Sequence, residues 1–125
     1  MREYKFRGKQ VDNGEWVYGY LWVCKTATIE TAYITDEKGG MFQVIPESVG
    51  QYTGLRDKNG KEIYEGDITT HHRFNTIEKW VYHERFLQYL AIESDGTHRY
   101  YFDRDKEDLE VISNVHDNPE LWGVQ

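Results

Sequence analysis

The stretch WVYGYLWVC at residues 16–24 sets the strongest limit on how this chain folds. Side chains alternate between the two faces of a β-strand, so this run predicts a strand with two apolar faces. One face carries four aromatic residues: Trp16, Tyr18, Tyr20 and Trp22. The other face carries Val17, Leu21 and Val23. Such a strand either lies between two layers of the protein or presents its aromatic face to a partner.

Turn sequences predict further strands on both sides of this one. DNGE at 12–15 and DEKGG at 36–40 are rich in residues that accept the positive φ angles of tight turns. Alternation of polar and apolar residues predicts a strand at 3–8, and the DEKGG turn joins two more predicted strands, near 29–35 and at 41–45. Successive hairpins of this kind indicate an antiparallel meander.

The segment QYTGLRDKNGKEIYEGDI at 51–68 contains a second group of turn signals. We expect a strand to end at 51–53 and Gly54 to bend the chain, with tight turns at 57–60 and 65–67. A turn uses Asp, Asn and Gly for conformational reasons, which is a commoner role for them than ligand binding. Any functional role of this segment falls on its turn residues, Asn59, Gly60, Glu65, Gly66 and Asp67.

The second half of the chain contains two aromatic-rich runs, EKWVYH at 78–83 and LQYLAIES at 87–94. They predict a hairpin, although an amphipathic helix over 78–92 also fits the spacing of the apolar residues. The content of β-branched and aromatic residues favours strands. THRYYF at 97–102 and VISNV at 111–115 predict two more short strands, with a polar connection between them.

These patterns together predict the fold class. We expect a mainly β protein, a small antiparallel β-barrel or sandwich of short strands. At 125 residues the chain fits one domain, 1–125, with 1–50 and 51–125 as candidate lobes.

Charge and cysteine content limit the environment and the partners. The formal net charge is −7, which disfavours a binder of the phosphate backbone. Cys24 is the only cysteine, so an internal disulfide is impossible and a reducing compartment fits best. No apolar run approaches the ~18 residues that a membrane span needs. The start MREYKFRGK lacks the apolar stretch of a signal peptide. We expect a soluble cytoplasmic protein with no membrane partner.

Motifs for nucleotide binding and catalysis are incomplete. Gly60-Lys61 is followed by Glu62, whereas a phosphate-binding loop needs Ser or Thr there. Glu65 and Asp67 could divide acid and base roles, but a Glu-Gly-Asp at the start of a strand has an ordinary turn function. The sequence therefore predicts no catalytic residue and no cofactor.

Histidines raise the question of a metal site, since imidazole is a common metal ligand. The chain has five: His71, His72, His83, His98 and His116. The neighbours His71 and His72 point to opposite faces of a strand, so they rarely bind one ion. His72 and His83 could converge with Asp67 or Glu65 if their strands pair, but the spacing does not require it. We expect no metal site.

Four blocks of the sequence resemble the YopX family: MREYKFRGK at 1–9, VDNGEWVYGYL at 11–21, VIPESVGQYTGLRDKNGKEIYEGDI at 44–68 and VISNVHDNPEL at 111–121. This resemblance covers nearly the whole chain. It implies a small protein of bacteriophages and prophages, found in a bacterial host cell. It also implies a mainly β fold with barrel-like subdomains and a tendency to oligomerise. It implies no established activity and no catalytic residue.

Three functions follow in order of preference. The first is a phage-encoded accessory protein that binds a host or phage protein and self-associates through the aromatic strand face. The second is a single-stranded nucleic-acid binder, in which Lys5, Arg7 and Lys9 flank the aromatic residues. The third is an enzyme built around Glu65 and Asp67.

Removal of divalent metals tests the expectation that no metal is structural. Dialysis against EDTA should leave the melting temperature unchanged, because no ligand set in the sequence has the spacing of a metal site. A fall of several degrees that zinc restores would contradict this prediction.

Overall fold

The computed structural model describes residues 5–123 and shows a mainly β protein, with 53% of residues in strands and 10% in helices. The strands form two antiparallel sheets, of six and five strands. Within the described residues neither sheet closes into a barrel, so the sandwich-like form of the predicted fold is confirmed. The chain divides into two compact units, residues 1–52 and 53–125.

Strands account for most of the regular structure in the described part of the chain. They are β1 Phe6–Lys9, β2 Trp16–Lys25, β3 Glu30–Thr35, β4 Met41–Val44, β5 Gly50–Arg56, β6 Glu62–Tyr64, β7 Asp67–His71, β8 Thr76–His83, β9 Gln88–Glu93, β10 His98–Arg99 and β11 Leu109–Asn114. Two 3₁₀ helices, Pro46–Ser48 and Asp103–Asp108, and one short α-helix, α1 Glu120–Gly123, complete the elements.

In the first unit, β1 to β4 form the predicted antiparallel meander. β2 pairs with β1 on one side and with β3 on the other, and β4 pairs with β3. One face of this sheet carries the buried core residues, Val17, Ala32, Ile34 and Val44. Gly19 is required where β2 passes β3, because a Cβ there would lie 2.0 Å from the carbonyl oxygen of Thr35.

In the second unit, a five-stranded sheet has the order β10-β9-β8-β7-β11. The core on one face of this sheet contains Trp80, Ala91 and Leu109, together with Ile63 from β6. Leu55, from the part of β5 that belongs to this unit, packs against the same cluster. Apolar side chains from the β5–β6 segment thus cover the sheet, which gives this unit its sandwich-like packing.

The segment 78–92 is a hairpin, as the content of β-branched and aromatic residues predicts. β8 and β9 pair antiparallel from Glu78↔Glu93 to His83↔Gln88. Trp80 and Ala91 are opposite each other in this ladder and are both fully buried. The helical alternative over 78–92 is therefore wrong.

Most predicted strands match the observed ones to within one or two residues, and three differ more. The strand expected at 97–102 contains only His98 and Arg99, because the chain then leaves the sheet edge and Tyr101 packs across the sheet face. β5 does not end at 51–53 but continues to Arg56, because Gly54 accommodates a φ of 92° within the strand. The strand expected at 3–8 is observed as Phe6–Lys9, and residues 3 and 4 lie outside the described part.

Gly66 provides a test of the structural role of the segment 51–68. It has a φ of 93°, and its N–H donates to the carbonyl of Trp80 at 2.8 Å. We expect Gly66→Val to lower the free energy of unfolding by roughly 1–3 kcal/mol, because valine is strained at positive φ. Gly96 has the same φ of 93° but is exposed, with open space around its Cβ position, whereas Gly66 is buried. Gly96→Val therefore measures the backbone strain alone, and any larger loss in Gly66→Val comes from its buried position. Melting curves measure both, and an unchanged curve for Gly66→Val would contradict the prediction.

Candidate binding surface

The aromatic residues of β2 lie at the surface of the first unit. Val17 and Leu21, on the opposite side of the strand, face the core, so only one of the two rows is covered there. Tyr18, Tyr20 and Trp22 expose 43%, 70% and 44% of their surface. Of the two rows, the aliphatic one is covered at Val17 and Leu21 but exposed at Val23, and the aromatic one is exposed from Tyr18 to Trp22.

Strand pairing extends this surface across the sheet. Trp22 is opposite Tyr33 of β3, and their rings stack with centroids 4.6 Å apart and an interplanar angle of 18°. Thr35 is opposite Met41 of β4, and Met41 is 57% exposed. The term "aromatic face" is used below for this side of β1 to β4, with Trp16, Tyr18, Tyr20, Trp22, Tyr33 and Met41 as its large side chains.

Basic residues of β1 lie on the same side of the sheet. Arg7 is opposite Tyr18, and Lys9 is opposite Trp16. The Arg7 guanidinium lies 4.5 Å from the centroid of the Trp16 ring and Lys9 Nζ lies 5.7 Å from it, both within cation–π range. Arg7 is itself buried.

Acidic residues are excluded from the aromatic face. The register places no Asp or Glu of β1 to β4 on this side, since Glu30 is opposite Lys25 on the other. The chain as a whole has a net charge of −7. The strand residues on this side are therefore free of acidic side chains, although the chain as a whole is acidic.

The five turn residues proposed from the sequence lie at two turns, one before and one after β6. Asn59 and Gly60 belong to the turn between β5 and β6, where Gly60 has a φ of 80°. Glu65 and Gly66 form the turn between β6 and β7, and Asp67 begins β7. Asp67 is buried, and its carboxylate accepts the N–H of Tyr64 at 2.7 Å. Its observed role is to close this turn.

Asp57 organises the first of these turns. Its Oδ1 accepts the N–H groups of Asn59 and Lys61, each at 2.9 Å. Its Oδ2 accepts the N–H of Val111 in β11, also at 2.9 Å. Because the carboxylate is 2% exposed and already accepts three N–H groups, it is poorly placed to bind calcium.

A buried carboxylate in the second unit was missed by the sequence reasoning. Glu78 of β8 is fully buried, and its Oε2 accepts the hydroxyl of Tyr101 at 2.6 Å. Arg99 Nε lies 3.5 Å from the same oxygen. The available signal was the alternation of Glu78 with Trp80 and Tyr82, which places a carboxylate on the apolar side of the strand.

The environment of this cluster shifts three pKa values. Burial raises the pKa of Glu78, although the Tyr101 hydroxyl and Arg99 oppose the shift. Burial and the hydrogen bond to Glu78 raise the pKa of Tyr101. Burial lowers the pKa of His71, whose ring stacks against Tyr101 with centroids 5.2 Å apart, and Asp108 opposes that shift. Glu78 and His71 are thus both shifted toward their neutral forms.

The histidines do not converge on a metal site. His71 is buried, whereas His72 is exposed with its Nε2 2.8 Å from Lys58 Nζ. The rings of His83 and His98 lie 5.6 Å apart at the β8–β9 end of the second unit. Among residues 5–123, no group of three or more His, Cys, Asp and Glu side chains could hold a metal ion. Within the same residues, no helix has the length and apolarity that a membrane crossing requires.

Together, the fold and surface define a small, mainly β protein with an exposed aromatic sheet face. Residues 5–122 match the family model described as YopX protein, so the chain belongs to the YopX family. The crystal structure of protein EF1440 from Enterococcus faecalis has a similar fold, with a TM-score of 0.60 and 20% sequence identity. The match covers 96% of this chain and 98% of that one, and it shows the fold alone. No curated protein matches the sequence.

Proposed function

We propose that this chain is a phage- or prophage-encoded accessory protein that acts by binding, not by catalysis, in the cytoplasm of a bacterial host. Membership of the YopX family supports the phage origin. The aromatic face carries the binding proposal, because it exposes large rings on a surface free of acidic strand residues. Contiguous exposed apolar surface of this kind commonly marks a site of interaction with another macromolecule.

We infer that one partner is a second copy of the chain. The far end of the β2–β3 hairpin exposes apolar side chains on both sides: Trp22 on the aromatic face at 44%, and Val23 on the other side at 46%. Ile29, at the tip, is 62% exposed. Burial of a large apolar side chain contributes about 1.5–3 kcal/mol, so covering several of them favours association. A host or phage protein is the other occupant that fits this apolar surface.

A double substitution on the aromatic face tests self-association. Wild-type protein at about tens of micromolar, a range in which moderate interfaces assemble, should scatter light as an oligomer. Tyr20→Ser with Trp22→Ser should give a monomer, because both substitutions remove exposed aromatic area without disturbing the buried row.

The matched control lies in the second unit. Tyr82→Ser with Phe86→Ser changes two rings of similar exposure, 40% and 48%, and should leave the oligomer intact. A monomeric wild type, or an aromatic-face variant that remains an oligomer, would contradict the proposal.

Single-stranded nucleic acid is the second candidate partner. Aromatic rings on a sheet face stack bases, and flanking cations contact phosphates. Lys9 lies beside Trp16 and is the cation that a phosphate can reach, since Arg7 is buried. No acidic residue of β1 to β4 lies on this face, and these features favour the candidate despite the net charge of −7.

Fluorescence anisotropy with a short labelled single strand distinguishes the two partners. Salt-sensitive micromolar binding that the Tyr20→Ser, Trp22→Ser variant loses would support the nucleic-acid candidate. The same affinity in wild type and variant, or no binding at low salt, would contradict the nucleic-acid candidate. A protein partner would then be the remaining candidate.

A further inference from the structure

We propose that Tyr101, packed on the sheet face and hydrogen-bonded to the buried carboxyl of Glu78, forms a proton-operated latch that holds the segment 100–108 against the five-stranded sheet. This segment connects β10 to β11 and is called the strap below. With Glu78 neutral the latch is closed. Ionisation of Glu78 favours an open strap that admits water to the carboxylate.

Tyr101, near the start of the strap, is the residue that attaches it to the face of the sheet. The 3₁₀ helix Asp103–Asp108 within the strap buries none of its residues. Tyr100 and Phe102 are 40% and 58% exposed. The ring of Tyr101 turns inward instead and packs on His71, with an interplanar angle of 17°, and on Trp80. A segment with so few buried contacts opens at low cost, so a single bond can control it.

The two oxygens of the Glu78 carboxyl have different environments. Its Oε2 accepts the Tyr101 hydroxyl, whereas its Oε1 is buried without a hydrogen-bond partner. The Thr76 hydroxyl is close enough to lower the pKa of Glu78 slightly, but its geometry does not make a hydrogen bond. An unpaired oxygen on a buried neutral acid costs less free energy than one on a buried, ionised carboxylate. In this proposal, opening the strap hydrates the carboxylate, and this hydration outweighs the loss of the Tyr101 hydrogen bond, which by itself favours the ionised form.

The charged groups around Glu78 do not neutralise it fully. Arg99 of β10 lies 2.9 Å from the Glu93 carboxylate of β9, closer than the 3.5 Å to Glu78. Glu93 itself opposes the ionisation of Glu78. His71 of β7 is shifted toward its neutral form. The nearby carboxylates of the strap, Asp105 and Asp108, act on His71 and add negative charge.

Amide hydrogen exchange tests the latch. The measured quantity is the protection of the strap amides and of the His72 amide, which donates to the Asp108 carbonyl. In wild-type protein, protection corrected for intrinsic exchange should fall as the pH rises. The fall should reach about tenfold per pH unit between the ordinary glutamate pKa of about 4.3 and the raised pKa of Glu78, and then level off. Protection falls with rising pH because the closed strap holds the Glu78 proton more tightly than the open one. The proton therefore stabilises the closed strap at low pH, and this stabilisation is lost as the pH rises.

Glu78→Gln is the first variant, since an amide keeps an acceptor for Tyr101 and cannot ionise. Its strap should stay protected with no pH dependence. Tyr101→Phe is the second, because it keeps the ring and removes the hydroxyl. Protection of its strap at about pH 5 should fall roughly fivefold, the effect of one hydrogen bond.

Two results would overturn the latch. One is a wild-type strap whose protection does not change with pH, or whose pH dependence persists in Glu78→Gln. The other is a Tyr101→Phe strap as protected as wild type at acidic pH. Amides of the β2–β3 hairpin in the first unit report general destabilisation and should not follow the pH dependence of the strap.

Discussion

The buried carboxylate of Asp57 is the interaction on which the second unit depends. Three N–H groups converge on it, one of them from β11, 54 residues further along the chain. A second bond runs beside it, from the Lys58 N–H to the Leu109 carbonyl at 2.9 Å. These bonds fix the β5–β6 turn against β11, so that Leu55 and Ile63 meet Trp80 and Leu109 in the core. Charge-assisted bonds of this kind offset the cost of burying a carboxylate.

The same turn occurs once in each unit. Asp36 Oδ1 accepts the N–H groups of Lys38 and Gly40, two and four residues ahead, as Asp57 does with Asn59 and Lys61. The third residue after each Asp is a glycine with positive φ, 87° for Gly39 and 80° for Gly60. What distinguishes the second turn is the bond from Asp57 Oδ2 to β11. A local turn motif thus gains a long-range role.

Local patterns predicted the strands but not the contacts between distant residues. Period-2 alternation located β1 and β2, turn sequences located β3 and β4, and the content of β-branched and aromatic residues located β8 and β9. The row of aromatic residues on β2 was visible from the same alternation. Two hydrogen bonds join residues that are far apart in the sequence: the Val111 N–H donates to Asp57 across 54 positions, and the Tyr101 hydroxyl donates to Glu78 across 23. No pattern of neighbouring residues predicts either bond. The local sign that Glu78 is buried is its position two residues before Trp80, which places both side chains on the same side of β8.

Chemical denaturation of Asp57→Ala, with Asp36→Ala as the matched control, tests the structural role of Asp57 most directly. Both substitutions remove the local turn bonds, but only the first also leaves the N–H of Val111 without its acceptor. We predict that Asp57→Ala lowers the free energy of unfolding by about 2–4 kcal/mol, and that Asp36→Ala lowers it by about 1 kcal/mol, because Asp57→Ala loses three bonds around a buried carboxylate and Asp36→Ala loses two at a more exposed one. Equal, small losses for the two variants would show that the bond to β11 does not support the second unit.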